Sequence, residues 1–151
     1  MKFIKLTIIA LVGLLVTTTS CEKEEPKPVQ PTLLGVWDLT SVREVEFKDF
    51  KIAFEEITYM DPSVDGIERM HFKDASNGDW IIGYPNNEEP QETYPFTYKM
   101  EGTKLSVTDS DGEYVFEEVN IQAQTLTMAV YDEGSATDPD RLVIYLTYKR
   151  M

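Results

Sequence analysis

The chain contains one thiol and one imidazole, Cys21 and His71, fifty positions apart. Nucleophilic catalysis needs a thiol or hydroxyl beside a base, with a third group to orient that base. The sequence holds no Gly-x-Ser-x-Gly, no phosphate-cradling Gly-rich loop and no Cys/His spacing suited to a metal. His71 is therefore read as a surface or structural residue. Carboxylates are plentiful, yet no spacing singles out an acid/base pair. Asp109-Ser110-Asp111-Gly112 begins like a calcium loop but lacks its distal ligands, so it is read as a hairpin turn. The chain is expected to be no enzyme, with no cofactor and no metal. Catalysis would require a paired acid and base inside the folded interior.

Cys21 has a different chemistry open to it. Met1-Lys2-Phe3-Ile4-Lys5 is a short basic start, and Leu6 to Val16 is an apolar run. As a helix this run would reach roughly 17 Å, short of the ~30 Å hydrocarbon core, so it reads as a secretory leader rather than a membrane span. Thr17-Thr18-Thr19-Ser20 leads straight into the only Cys. A small residue before a lone Cys at this place resembles the bacterial lipobox. Thr18 stands where that motif commonly has Leu, as in the looser lipoboxes of Bacteroidetes-type bacteria. The resemblance implies lipid attachment at Cys21, and each buried acyl CH₂ contributes about 0.8 kcal/mol to anchoring. Glu22-Lys23-Glu24-Glu25 resembles the acidic tag that sends such lipoproteins to the outer face of the outer membrane. Pro26 to Pro31 is a stiff, extended spacer. The organisation expected is a leader over 1–20, an anchor and linker over 21–32, and one folded domain over 33–151.

The formal charge is −13. Loss of residues 1–20 leaves 12 basic against 27 acidic residues, or −15. Such a surface repels phosphate backbones, which excludes nucleic acid as a partner. At 42% apolar and 11% aromatic residues the chain can build one core, and with one Cys it forms no internal disulfide.

From Leu33 onward the pattern is period-2 alternation broken by Gly, Asn and Asp turns. Eight strands are expected: Val36–Val45, Ile67–Lys73, around Trp80–Tyr84, around Phe96–Met100, around Leu105–Val107, Glu113–Ile121, around Leu126–Val130, and Leu142–Lys149. Asn77-Gly78 suits a tight turn with positive φ. Between the first two strands, Phe47, Phe50, Phe54 and Ile57 fall at helical spacing, although Phe50, Ile52 and Phe54 would equally suit a strand. A short helix or lid is expected there. Eight antiparallel strands in an up-and-down meander are the number for a small closed barrel. Alternate connections then lie at the same end. The long ones, 46–65, 85–92 and 132–140, rim one end, and tight turns close the other. Asp61, Asp65, Glu88, Glu89, Glu92, Asp109, Asp111, Asp132, Glu133, Asp138 and Asp140 all fall on the rimmed end. They would form an acidic funnel favouring a cationic ligand, Ca²⁺ or a basic protein.

Gly35-Val36-Trp37 at the head of the first strand resembles the Gly-x-Trp opening of lipocalin-like proteins, and small Bacteroidetes lipoproteins with such domains in particular. The resemblance implies an all-β, eight-stranded lipocalin-like barrel whose base is plugged by Gly35, Trp37 and a late basic residue, Arg150. Barrel closure places Trp37 near Tyr148 and Arg150, with the guanidinium over the indole. A small, apolar ligand is the implied occupant. Its candidate lining is Phe72, Trp80 and Tyr84 from the early strands, Phe96, Tyr98, Met100, Leu105 and Val107 from the middle, and Leu126, Met128, Ile144 and Leu146 from the last. The same large residues argue for a second reading. A barrel filled solid would work as an interaction module for a protein partner, through its rim loops or outer tyrosines.

Overall fold

The structure is a computed structural model that describes residues 32–85 and 91–151. Cys21, the leader, the acidic tag and the Pro-rich spacer lie outside the described residues, as do Glu88 and Glu89. Nine strands follow in order: β1 Gly35–Lys48, β2 Lys51–Tyr59, β3 Ile67–Phe72, β4 Asn77–Gly83, β5 Glu92–Glu101, β6 Lys104–Thr108, β7 Glu113–Ile121, β8 Thr125–Glu133 and β9 Arg141–Arg150. All pairings are antiparallel. Strands β1 and β3 to β9 pair in sequence, and β1 returns to β9, so eight strands close into a barrel as the alternation predicts.

The ninth strand corrects the helix or lid expected over 47–60. Residues 47 and 48 extend β1, and 51–59 form β2, which pairs with the far half of β1 from Ser41 to Lys48. The near half of β1, Gly35 to Asp38, pairs with β3. β2 has no neighbour on its outer edge and is exposed along its whole length. The helical spacing of Phe47, Phe50, Phe54 and Ile57 is accommodated by a bulge at Glu46/Phe47. The hairpin turn is Asp49-Phe50, both at positive φ (49° and 61°), the geometry of a two-residue type I′ turn. Backbone N–H groups of Asp49 and Phe50 donate to the Asp140 carboxylate (2.9 Å) and the Pro139 carbonyl (3.0 Å). The loop between β8 and β9 thus holds a turn that the local residues do not favour.

Inside the barrel the register stacks side chains in rows. Trp37, Met70, Phe72, Phe96, Leu105, Val107, Phe116, Leu126, Met128 and Tyr148 are buried in one cluster. Each such side chain contributes roughly 1.5–3 kcal/mol of transfer free energy. Gly78 sits among them because a Cβ there would lie 2.4 Å from the Phe96 ring and 2.7 Å from the His71 carbonyl oxygen. Its φ is not positive, which corrects the turn geometry expected for Asn77-Gly78. Asn77 and Gly78 open β4 instead, and close packing excludes a side chain.

A second, smaller cluster lies on the other face of the sheet where β1, β8 and β9 meet. Val45, Ala129 and Val143 are buried there. Cross-strand neighbours flank them: Arg43 rests over the Tyr145 ring (5.3 Å) and pairs with Glu55 (2.7 Å), and Arg141 rests over Phe47 (3.9 Å). Arginine stems and flat rings cover apolar surface without needing a further layer.

Candidate functional site

The two ends of the barrel differ in how fully they are filled. At the base, Trp37 is fully buried and its Nε1–H donates to the Leu33 carbonyl oxygen at 2.7 Å. The Arg150 guanidinium lies 4.5 Å from the indole centroid and donates to the Thr32 carbonyl. Arg150 is also the direct pairing partner of Trp37 across β1 and β9, and Tyr148 is that of Leu39. Gly35 opens β1 with φ of 121°, a value that disfavours side chains. Trp37, Tyr148 and Arg150 close the base by packing, whereas Gly35 has open space where a Cβ would stand.

At the opposite end a cavity of about 290 Å³ opens to solvent, lined by Trp80, Ile82, Tyr94, Asp109, Asp111 and Tyr114. Alternation places it. Met70, Trp80 and Tyr94 form one cross-strand row, and Phe72, Gly78 and Phe96 form the next row down. Tyr114 pairs with Val107 across β6 and β7. The rows containing Phe72 and Val107 are core, so the next row toward the open end faces inward too. The rings of Trp80 and Tyr114 meet edge to face at 6.0 Å. Trp80 Nε1 is buried.

Acidic groups surround these rings. Glu68, the cross-strand partner of Ile82, faces the interior, and the Tyr148 hydroxyl approaches its carboxylate at 3.4 Å. Burial pushes the Glu68 carboxyl above its ordinary range, opposed in part by the Tyr148 hydroxyl and then by the Trp80 indole N–H. Burial also pushes the Tyr148 phenol well up, and the neighbouring Glu68 charge adds to that. Glu92 accepts hydrogen bonds from the hydroxyls of Tyr94 and Tyr84, which hold its carboxyl below the usual range. Asp109 accepts the backbone N–H groups of Asp111 (2.8 Å) and Gly112 (3.2 Å), which fixes the β6–β7 turn, and both aspartates border the cavity. Among the described residues none of these four carboxylates pairs with a lysine or arginine. Nor do any three His, Cys, Asp or Glu among them converge closely enough to hold a metal ion.

Of the sequence-derived lining, only Trp80 borders the cavity. Phe72, Phe96, Leu105, Val107, Leu126 and Met128 are buried core below it. Tyr98, Met100 and Leu146 pack against that core, while Ile144 is half-buried and Tyr84 turns aside to Glu92. His71 lies half-buried in β3, opposite Val36 and Asp79. Tyr94, Tyr114 and Glu68 were passed over. Each sits two positions from an inward-facing residue, at Phe96, Phe116 and Met70, so extending the alternation by one step reaches all three. Of the acidic residues expected at the rim, Asp109 and Asp111 border the cavity, and Glu92 bonds to Tyr94 beside it. Asp61 and Asp65 close the turn after β2 on themselves, and Asp140 secures the β1–β2 hairpin.

A family model for the lipocalin-like domain matches residues 33–128, from just before β1 into β8. No curated protein matches the chain.

Proposed function

The chain belongs to the family of lipocalin-like domains, and we propose that it is a lipid-anchored binding protein of the cell envelope that takes a small molecule at the barrel mouth. The observation that carries this reading is the cavity of about 290 Å³ above an otherwise filled interior. Its size is at the lower end of small-molecule sites, which run from roughly 300 Å³ upward. Trp80, Tyr94, Tyr114 and Ile82 give it walls suited to an apolar body, and Asp109 and Asp111 complete the lining. The leader-like start and the lone Cys21 support attachment to the outer membrane, and Glu22-Lys23-Glu24-Glu25 supports an outward-facing position.

Residues 22–151 contain the whole closed barrel and serve for the binding test. Calorimetric titration with graded alkyl and aryl probes should give saturable one-to-one heats. Ile82→Trp fills the mouth and should abolish them without lowering the melting temperature, since Ile82 is partly exposed. Saturable heats that persist in this variant would move the site elsewhere. Leu126→Trp does not serve here, because Leu126 is core and overpacking it costs about 1–3 kcal/mol whatever the function. For the anchor, Cys21→Ser should transfer the protein from the membrane pellet to the soluble fraction.

A specific observation also favours the interaction-module reading. Phe50, Ile52, Phe54, Ile57 and Tyr59 are exposed on or beside an unpaired edge strand. Open edges of this kind accept an added strand. If the strand recruits a partner, Phe54→Lys should release proteins cross-linked to it in intact cells and leave mouth binding untouched.

A further inference from the structure

We propose that the barrel mouth selects an organic cation, an ammonium or guanidinium group carried on an apolar body. This deepens the small-molecule reading above and rests on it. Three aromatic side chains, Trp80, Tyr94 and Tyr114, border one cavity with Asp109 and Asp111. Ring faces carry negative quadrupole density and attract soft, weakly hydrated cations. The two aspartates add full charge at the opening. Glu68 adds a third carboxylate on the inner wall, beside Ile82, and Glu92 a fourth behind Tyr94. Among the described residues no basic side chain neutralises this set, and none lines the cavity.

The arrangement discriminates between kinds of cation. A hard ion such as Ca²⁺ takes six to eight converging oxygens. Here the carboxylates are spread around aromatic walls, and among the described residues no three acidic or imidazole groups converge. An organic cation needs no such convergence, because its charge is spread over several atoms and its carbon surface packs on the rings. An anionic amphiphile, the usual alternative for an apolar cup, would meet like charge at every approach. The best match is a ligand with a cationic head and an apolar body.

The test compares three probes of similar size at about 0.15 M salt, where fields beyond ~8 Å are screened. The probes are benzyltrimethylammonium, the uncharged benzyl alcohol and the anionic benzoate. Calorimetry on residues 22–151 should show one-to-one binding of the cation, at least about tenfold tighter than the alcohol, and no binding of benzoate. The double variant Asp109→Asn, Asp111→Asn preserves the turn acceptor on residue 109 and should erase most of the preference for the cation. Tyr114→Leu, at an exposed position, should weaken the cation by about five- to tenfold with the melting temperature unchanged. Equal affinity for the cation and the alcohol would overturn the cation proposal and leave the small-molecule reading standing. Cation binding unchanged in both variants would place it on the general acidic surface and overturn the proposal as well. Failure of all three probes, together with the alkyl and aryl series, would overturn both readings.

Discussion

A carboxylate inside an apolar barrel works against folding unless something else retains it. Glu68 is such a group, and its titration gives a direct measurement. Its carboxyl is raised above the ordinary 4.5, so the folded form holds the proton more tightly than the unfolded chain. Stability is then greatest below the unfolded value and falls as pH rises through the raised one. Glu68→Gln keeps an acceptor for the Tyr148 hydroxyl and removes the charge. The variant should melt higher than the parent at about pH 7 and at the same temperature at about pH 4. A lower melting temperature at neutral pH would show that the ionised carboxylate is well solvated in place. At the base the balance runs the other way. Trp37→Phe leaves the Leu33 carbonyl without its donor and weakens the stack under Arg150. Urea denaturation should show a loss of about 1–3 kcal/mol, and binding at the mouth should not change. Gly35, Trp37 and Arg150 were legible because a Gly-x-Trp opening and barrel closure fix them together. Glu68 was not, because a charged residue in a strand is ordinarily assigned to the solvent face, and only the strand face it shares with Met70 and Phe72 reveals otherwise.

At the level of elements, the alternation found all eight barrel strands because one face of each is buried, which makes the two-residue period visible. β2 lacks that signal: both of its faces are exposed. Its turn, Asp49-Phe50, also lacks the Asn-Gly signature of a type I′ hairpin, and the bonds that hold it come from residues 139 and 140. Tertiary contact from about ninety positions away decides that hairpin, so the local pattern, which suits a strand at Phe50, Ile52 and Phe54 as well as a helix, leaves the choice open. Asp140→Ala should therefore loosen the tip specifically, with faster amide exchange over Phe47–Phe54 and little change in β3 to β7. Gly78 makes a related point from the packed side. The dipeptide suggested a turn, but what glycine provides is room for Phe96. Gly78→Ala should cost about 1–3 kcal/mol, measured by denaturant, because both the ring and a backbone oxygen stand in the way.

For the molecule as a whole, closure is the decisive event. β9 pairs with β1 over ten positions and with β8 over eight. The family match stops at residue 128, before this closing strand. Deleting residues 141–151 would open two long edges and unseat Tyr148 from the core. The truncated chain should lose both its cooperative urea transition and the near-ultraviolet signal of the buried Trp37. A closed barrel that is also filled has one more consequence. With Trp37, Phe72, Leu126 and Met128 occupying the interior beneath the mouth, a bound molecule rests on a floor rather than descending into a shaft. No strand has to part for it to arrive or leave. Its residence time is then set by the contacts at the rim alone, and exchange should be fast, with the acidic field hastening arrival of a cationic guest. Such a seat is suited to brief capture and hand-over and poorly suited to long-term storage.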